Sequence, residues 1–259
     1  MFPVQKISRE QARALQGIFF DLDETILEEG KLSAEAYSTL FRLRGAGLRL
    51  IALTGRPASW AQVIARMWPI EAAIAENGAI AYRSDSKALV TLDTASREER
   101  KKRTAQLQSL VLQVRKLLPV LCPADDVTGR ISDFTFDIGE FKCVNEETIA
   151  QAISFALEQR ARTTRSSIHL HLTFDHSDKA TGALSYLRSQ GQDSTRARNN
   201  FAFIGDSEND APAFAAFKTS VGVRNLTGHF SIPPRYQTKN YKSQGFREFA
   251  EHLLEQRQS

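Results

Sequence analysis

The sequence predicts an α/β protein with a doubly wound parallel sheet and a smaller inserted α+β segment. Apolar runs alternate with amphipathic stretches in residues 1–83 and again in residues 176–259, which is the order of strands and helices in a parallel sheet. In residues 84–175 two strands instead alternate polar and apolar residues, which is typical of an antiparallel sheet with one covered face. We therefore assign residues 1–83 and 176–259 to a core and residues 84–175 to an insertion.

Length and composition are those of a folded, soluble protein. The chain has 259 residues, of which 42% are hydrophobic and 25% charged, with a net charge of +4, so it can bury a substantial core. The basic run from Arg97 to Arg103 also contains glutamates, which favours a solvated helix face over a nucleic-acid surface. We expect neither a nucleic-acid nor a membrane partner, and oligomeric state is left open.

Cysteine usage and the amino terminus indicate a reducing compartment. Cys122 and Cys143 have no metal-ligand spacing, and the first residues lack the apolar core of a secretory signal. Free thiols are the expectation for such a pair. The expected location is the cytoplasm.

The first core strand, Gly17–Phe20, is apolar throughout and runs into Asp21 and Asp23. Residues two apart in an extended chain project to the same side, so both carboxylates can reach one metal ion or one phosphoryl group. A lone Asp-x-Asp is also common in solvated turns and in calcium loops. The apolar strand directly before it argues against a turn.

The remaining elements follow from apolar periodicity and from capping residues. Further strands are predicted at 48–53, 72–75, 131–138, 168–174, 200–204 and 220–223. Helices are predicted near 7–16, from the N-cap Ser33 to about Gly45, and at 59–67, 96–118, 146–160, 179–189, 211–217 and 246–254. Polar Ser84, Asp85 and Ser86 mark a boundary, and residues 225–245 are predicted as a loop.

Three core strands end in residues that can perform chemistry. These residues are Asp21, Asp23 and Thr25 after the first strand, Thr54, Gly55 and Arg56 after the second, and Asp206, Asn209 and Asp210 near the carboxyl end. The carboxyl ends of parallel strands lie along one edge of a sheet, so these groups should meet in one crevice. Several aspartates in one crevice require a divalent cation, and an all-oxygen ligand set favours Mg²⁺. Thr54 and the ammonium group of Lys179 can bind phosphate oxygens.

Four ordered motifs resemble those of the haloacid dehalogenase superfamily of phosphatases. They are Asp21-Leu22-Asp23-Glu24-Thr25, Leu53-Thr54-Gly55-Arg56, Lys179 at the start of a helix, and Gly205-Asp206-Ser207-Glu208-Asn209-Asp210. The insertion is similar in placement to the C2-type cap of the branch that includes Cof, sucrose-phosphatase, trehalose-phosphatase, mannosylphosphoglycerate-phosphatase and phosphomannomutase. Glu76-Asn77-Gly78-Ala79 also resembles that branch.

The resemblance implies a role for each motif residue. Asp21 would be the nucleophile that forms an aspartyl-phosphate, and Asp23 the general acid and then base. Mg²⁺ would be held by Asp21, the backbone carbonyl of Asp23 and Asp206, with Asp210 as a ligand or as the partner of a metal-bound water. Thr54 and the amide of Gly55 would fix the phosphate, Arg56, Asn77 and Asn209 would help to bind phosphate or substrate, and Lys179 would be a catalytic residue that offsets charge on the phosphoryl group in the transition state.

Simpler interpretations stand beside these roles. Thr25 can equally hold its loop through a backbone hydrogen bond, and Arg56 can pair with a local carboxylate. Lys179 taken alone would be a surface lysine. Asn77 and Gly78 can form an ordinary turn.

The cap strands support a hypothesis about the leaving group. If Phe134, Phe136, Leu170 and Leu172 pack under the cap helices, the opposite face carries Asp133, Thr135, Asp137, His169 and His171. We expect this face to close over the crevice and to contact the leaving group through polar groups, and the alternative is a solvated sheet face. The two histidines could also hold a transition metal, but no third ligand is apparent.

The sequence thus predicts a cytoplasmic, Mg²⁺-dependent phosphomonoesterase that acts on a sugar phosphate or a similar small phosphorylated metabolite. A phosphomutase with the same nucleophile is the first alternative, and release of inorganic phosphate distinguishes the two. The second is a non-catalytic binding or regulatory protein on the same scaffold, which the intact motif positions argue against.

Overall fold

A computed structural model describes residues 1–85, 88–166, 168–226 and 231–258. Ser86, part of the predicted boundary, lies outside the described residues, as do residues 227–230 of the predicted loop. In chain order, the α-helices are α1 (Arg9–Ala14), α2 (Ala34–Gly45), α3 (Ala58–Met67), α4 (Arg97–Leu117), α5 (Glu146–Glu158), α6 (Lys179–Ser189), α7 (Ser194–Asn200), α8 (Ala211–Ala216) and α9 (Lys242–Gln258). None of the described helices is both long enough and apolar enough to cross a membrane.

The strands in chain order are β1 (Phe2–Pro3), β2 (Gly17–Phe20), β3 (Leu27–Glu28), β4 (Lys31–Leu32), β5 (Arg49–Leu53), β6 (Ala72–Ala75), β7 (Ile80–Ser84), β8 (Leu89–Asp93), β9 (Cys122–Pro123), β10 (Asp133–Asp137), β11 (Arg162–Arg165), β12 (His169–Thr173), β13 (Phe201–Gly205), β14 (Thr219–Gly222) and β15 (Tyr236–Gln237). The seven strands predicted from apolar periodicity are all present. Their ends differ from the prediction by a few residues at most.

The larger sheet has nine strands among the described residues, in the order β1-β15-β14-β13-β2-β5-β6-β7-β8. In this order, the strands from β1 through β15, β14, β13, β2 and β5 to β6 all pair in parallel. Both faces are covered by helices. Ile18 and Phe20 of β2 join one apolar cluster with α2, α3 and α9, and Phe19 joins a second with α6, α7 and α8. This two-sided burial explains why the core strands are apolar runs without alternation.

One edge of this sheet departs from the predicted parallel pattern. Strands β7 and β8 add to β6 as two antiparallel strands. Strand β8 falls inside the predicted insertion of residues 84–175, yet it belongs to the larger sheet. At the other edge β15 pairs with β14 and β1, so the prediction of a loop over residues 225–245 was wrong at this short strand.

A second sheet of four described strands, in the order β11-β12-β10-β9, is antiparallel throughout. Phe136, Leu170 and Leu172 pack with apolar residues of α4 and α5 in a separate core. The predicted covered face is therefore confirmed. Helix α4 begins with a capping box in which Ser96 accepts from the Glu99 amide and Glu99 accepts from the Ser96 amide, an arrangement that satisfies two otherwise unpaired amides.

Charged residues join the two sheets where the chain passes between them. Arg100 of α4 donates to Asp93 at the end of β8 and also to Asp175, which follows β12. Arg103 donates to the second oxygen of Asp175 at 2.6 Å. Asp175 is buried, with 2% exposure, so each of its oxygens has a cationic donor, as a buried carboxylate requires.

Candidate active site

The predicted residues meet at the carboxyl edge of the parallel strands. Asp21 follows β2, Gly55 and Arg56 follow β5, and Asp206 follows β13. They line a cavity of about 420 Å³ between the two sheets. We call the core side of this cavity, together with the adjoining buried residues Thr54, Lys179 and Asp210, the floor, and the cap side the wall. The floor residues that border the cavity are Asp21, Asp23, Glu24, Gly55, Arg56, Asp206, Ser207, Glu208, Asn209 and Asn225, and the wall residues are Arg130, Ser166, Ile168, His169 and His171.

Lys179 lies at the centre of the floor and is fully buried. Its Nζ is 2.8 Å from Asp21 Oδ1 and 2.6 Å from Asp210 Oδ1. Burial disfavours the charge, but the two carboxylates outweigh it and raise the pKa of Lys179. The interpretation as a surface lysine is therefore wrong, and Lys179 is a permanent cation beside Asp21.

Two glycines bring Lys179 to this position. Gly78 has a φ of 103°, and a Cβ there would lie 2.2 Å from the carbonyl oxygen of Asp178. A Cβ on Gly182 of α6 would lie 2.3 Å from the Cα of Gly78. Only glycine allows the turn after β6 to approach the first turn of α6 so closely, and that turn of the helix carries Lys179.

Carboxylate oxygens of Asp21, Asp206 and Asp210 lie within 4.8 Å of one another. Burial, opposed by Lys179 and reinforced by Asp210, raises the pKa of Asp21 to about 7. Burial and then the charge of Asp21 raise the pKa of Asp206 well above its usual value. These three carboxylates can all be ionised only if further positive charge lies beside them. Carboxylate oxygens are the ligands that hard divalent cations prefer.

Asp210 organises the floor from behind. It is fully buried. Its Oδ1 accepts from Lys179, and its Oδ2 accepts from the amides of Asp206 and Ser207 at 2.9 and 3.1 Å. Asp210 therefore orients the loop that carries Asp206, and its Oδ1, which accepts one hydrogen bond, still has a lone pair for a metal ion.

Asp23 has a different partner from the other aspartates. Arg56 donates from Nε and Nη2 to its two oxygens at 2.8 and 2.7 Å, which is the bidentate geometry expected of a guanidinium with a carboxylate. The guanidinium also lies 4.6 Å from the ring of Trp60. The local pairing anticipated for Arg56 is therefore present. Thr25 donates to Asp206 Oδ1 at 3.4 Å, so its hydroxyl contacts the acidic cluster.

The predicted phosphate-binding groups lie around the same point. Thr54 is fully buried, and its hydroxyl accepts from the Arg56 amide at 3.0 Å. Asn77 has a φ of 53°, and its Oδ1 is buried without a partner among the described residues. A second cavity of about 410 Å³ is bordered by Asn77, Lys179 and Asn209. An unpaired buried acceptor at such a place is one that a ligand or water can satisfy.

The polar face of the cap sheet is covered and not solvated. Asp133, Thr135, Asp137, His169 and His171 are all at most 7% exposed. Thr135 pairs with His171 and Asp137 with His169 in the β10–β12 register. The two histidines border the cavity, whereas Asp133 and Thr135 lie behind His171 and contact its Nδ1 at 2.8 and 3.1 Å.

Asp137 does not reach the cavity. Its carboxylate accepts from four successive amides, those of residues 139 to 142, at 2.8 to 3.1 Å. These bonds lower the pKa of Asp137 against the opposing effect of burial. The structure thus gives Asp137 a turn-capping role, and its predicted contact with the leaving group finds no support in the geometry.

Several residues of the site were not predicted. Arg130, in the segment before β10, donates from Nη1 to the Gly55 carbonyl at 3.1 Å and to Asp133 at 3.0 Å. Asn225, which follows β14, donates to the Glu24 carbonyl at 3.0 Å and to Asp206 at 3.4 Å. Asn225 could have been found, because it follows a parallel strand at the same edge as the motifs. No sequence pattern marks Arg130.

Glu76 joins the floor to the cap and was also not predicted as functional. Its carboxylate accepts from the amides of Ile131, Ser132 and Asp133 at 2.9, 2.6 and 3.2 Å, from the Ser132 hydroxyl, and from the Ala58 amide at 3.0 Å. Burial and the charge of Asp133 raise the pKa of Glu76, against these hydrogen bonds. One core carboxylate therefore holds three consecutive cap residues.

Comparisons with known proteins agree with this geometry. A family model described as haloacid dehalogenase-like hydrolase matches residues 18–115. A search of curated proteins found no match.

Among solved structures, the chain is similar to Thermoplasma acidophilum 0175, with a TM-score of 0.73 and 16% identity over 92% of this chain and 98% of that one. It is also similar to the sucrose-phosphatase of Synechocystis, solved with sucrose and phosphate (TM-score 0.65, 16% identity, coverage 92% and 98%). A trehalose-6-phosphate phosphatase of Aspergillus fumigatus matches with a TM-score of 0.64 and 13% identity over 100% of both chains. At these identities the structures show the shared fold alone. The family match over residues 18–115 and the shared fold agree with the resemblance that the sequence motifs show to the haloacid dehalogenase superfamily.

Proposed function

We propose that the protein is a Mg²⁺-dependent phosphomonoester hydrolase that acts through a phosphorylated Asp21. The observation that carries the proposal is the position of Asp21, whose carboxylate borders the cavity while Lys179 lies 2.8 Å from its Oδ1. A nucleophile beside a buried cation is the arrangement that phosphoryl transfer uses, since positioning and charge stabilisation supply most of its catalysis.

The acidic cluster fits a hard divalent cation. Asp21 and Asp206 offer oxygens to the cavity, and Asp210 orients the loop that carries Asp206. We assign the site to Asp21, Asp206 and the backbone carbonyl of Asp23, with Asp210 behind them. A Mg²⁺ ion bound there supplies positive charge opposite the phosphoryl oxygens.

The proposed reaction divides the work between two carboxylates. An oxygen of Asp21 forms a bond to phosphorus as the bond between phosphorus and the leaving-group oxygen breaks, and Asp23 gives that oxygen a proton. In the second half Asp23 takes a proton from water, which attacks phosphorus and releases phosphate from Asp21. Arg56 donates to both oxygens of Asp23, which orients the carboxylate before substrate binds, and one oxygen must turn from the guanidinium to carry the proton that Asp23 gives.

Phosphate oxygens would be bound by groups already at the floor. Lys179 supplies a buried ammonium, and Thr54 and the amide of Gly55 lie at the end of β5. Asn77 and Asn209 border the adjoining cavity. These are donors and cations of the kinds that bind phosphate in proteins.

The proposed substrates are sugar phosphates or similar small phosphorylated metabolites. The polar wall supports this class, since His169 and His171 border the cavity and polar side chains suit hydroxyl groups. Two of the similar structures are named as sucrose-phosphatase and trehalose-6-phosphate phosphatase. We further propose a cytoplasmic location and a cap that is a distinct domain.

A panel of phosphate esters, assayed for inorganic phosphate with and without Mg²⁺, tests the proposal. We expect Mg²⁺-dependent release, and we expect Asp21→Asn to lower kcat by about 10³-fold or more, because an amide cannot attack phosphorus. Asp125→Asn, which changes an exposed aspartate of the cap, is the matched control. Isomerised substrate without phosphate release would instead identify a phosphomutase.

A further inference from the structure

The wall of the cavity presents histidines that are already bound to acids. His171 borders the cavity, and its Nδ1 lies 2.8 Å from Asp133 Oδ2. His169 borders it too, and its Nε2 lies 2.8 Å from Glu140 Oε2. The two rings are perpendicular, with centroids 6.0 Å apart. Neither imidazole is free to rotate without losing a charge-assisted hydrogen bond.

The partner of His171 fixes which of its nitrogens carries the proton. Asp133 is buried and accepts from Arg130 at 3.0 Å. Burial opposes its charge, but Arg130 and His171 together lower the pKa of Asp133. An ionised carboxylate only accepts hydrogen bonds, so Nδ1 of His171 must donate.

The other nitrogen of His171 then becomes an acceptor. With Nδ1 donating to Asp133, the lone pair of the neutral ring is on Nε2, and burial, which lowers the pKa of His171 against the effect of Asp133, favours that neutral form. The side-chain hydrogen bonds of His171 to described residues all involve Nδ1, and the ring borders the cavity. The ring therefore offers one accessible acceptor to the cavity.

The arginines that border the cavity are already neutralised. Arg130, with a side chain 1% exposed, is paired with Asp126 and Asp133 at 3.0 Å each. Arg56 is paired with Asp23 at 2.7 Å. No other arginine or lysine is among the described residues that border this cavity, whereas Asp21, Asp206, Glu24 and Glu208 do border it. Among the described residues, the cavity away from the phosphate thus offers no unpaired cation to a second anionic group, which would be buried without a partner.

We propose that His171 selects leaving groups that are uncharged and carry a hydroxyl, which donates to its Nε2, and that esters with a second anionic group are rejected. The inference rests on the proposed phosphatase function and narrows its substrate class. Asp133 is a positioning residue in this scheme, because it acts through the ring of His171 and through the neutralisation of Arg130.

Matched pairs of esters test the selection with the full chain and Mg²⁺. Glycerol 3-phosphate has a hydroxymethyl group where 3-phosphoglycerate has a carboxylate. In the second pair, the leaving group of glucose 6-phosphate is uncharged and that of 6-phosphogluconate is anionic. We expect kcat/KM to favour the uncharged member of each pair by about tenfold or more, since an unpaired charge in a buried site is strongly disfavoured.

Two variants separate the hydrogen bond from the charge. His171→Ala should lower kcat/KM about tenfold for the uncharged esters, and by less for p-nitrophenyl phosphate, which has no hydroxyl to donate. Asp133→Asn leaves Arg130 with one carboxylate fewer, so the preference against the anionic esters should shrink several-fold. His176→Ala, which changes an exposed histidine outside the cavity, is the control. Far-ultraviolet circular dichroism and thermal melting verify folding.

The outcomes distinguish this inference from the function on which it rests. Hydrolysis without preference between the members of each pair would overturn the inference and leave the phosphatase function standing, and this measurement needs no variant. A fall in kcat/KM of equal size for all esters in His171→Ala would also overturn the inference and leave the phosphatase function standing. Absence of phosphate release from every ester, p-nitrophenyl phosphate included, would overturn both.

Discussion

The floor and the wall of the cavity are both polar, but they are built in different ways. Floor residues follow the ends of parallel strands, so strand direction alone brings Asp21, Thr54 and Asp206 together. Two of the wall residues, His169 and His171, lie within an antiparallel strand, and they reach the cavity because alternate residues of β12 share one face. The positions of the floor residues therefore depend on the order and direction of the strands, and those of the wall histidines depend on the register of β12.

Buried carboxylates hold each region in place, and their partners differ. Asp210 binds Lys179 and the amides of Asp206 and Ser207, all of which belong to the floor. Glu76 instead accepts from amides of the cap, including that of Ser132. Loss of the first kind of contact should disable chemistry, and loss of the second should loosen the wall.

The largest effect is expected from the floor, in the variant Lys179→Met. The buried ammonium lies between Asp21 and Asp210, and its removal leaves two buried acids without compensation. We expect loss of kcat by about 10³-fold and a fall in the free energy of unfolding of about 3–5 kcal/mol. Steady-state kinetics and urea denaturation measure the two effects. Lys116→Met, on the last turn of α4, is the control, and a Lys179→Met protein with near-normal kcat would refute the assigned role.

The contact between floor and wall is tested by Glu76→Gln. Glutamine keeps the size of the side chain, but its amide places a donor opposite the amides of Ile131, Ser132 and Asp133. We expect a loss of about 2 kcal/mol or more in the free energy of unfolding, and faster hydrogen exchange at these three amides. Glu147→Gln, at an exposed site of α5, should leave the exchange unchanged. Unaltered protection in Glu76→Gln would show that the wall is held by other contacts.

The sequence predicted most of the floor, because the ends of β2, β5 and β13 coincide with motifs, but it missed Asn225 after β14, where there is no motif. It predicted which cap residues share the polar face, but not their separate roles. Asp133 and Asp137 are both aspartates on the same side of β10. Asp137 nevertheless caps a turn, whereas Asp133 binds His171 and Arg130. Their roles depend on a loop and on the segment before β10, whose positions no local pattern encodes. Strand β8 was missed for a similar reason, since short half-exposed edge strands have a weak apolar pattern.

The wall should also make stability depend on pH. The pKa of His171 is lowered by burial below its usual 6.5. As pH falls through 6.5, the unfolded chain binds a proton at this residue before the folded protein does, so the folded state loses stability. We expect the free energy of unfolding of the wild type to fall relative to His171→Gln between pH 7.5 and 5.5, by no more than about 1.4 kcal/mol per pH unit. Urea denaturation in the presence of a chelator measures it, with the exposed His176→Gln as the control for loss of an imidazole. A constant difference between wild type and His171→Gln would contradict the assignment.

The smallest effect is expected where the floor has a partly exposed pair. Asp23 is 37% exposed in its side chain and Arg56 is 14% exposed, so the pair contributes less to stability than the buried contacts of Lys179. Arg56→Lys keeps the charge but loses the two-point contact that orients Asp23. We expect kcat to fall about threefold with little change in KM, because the proton transfer loses its fixed geometry while the phosphate contacts remain. Arg66→Lys, at an exposed position of α3, is the control. A rise in KM without a fall in kcat would instead show that Arg56 binds substrate directly. The floor would then contact the leaving group, as is proposed for the wall.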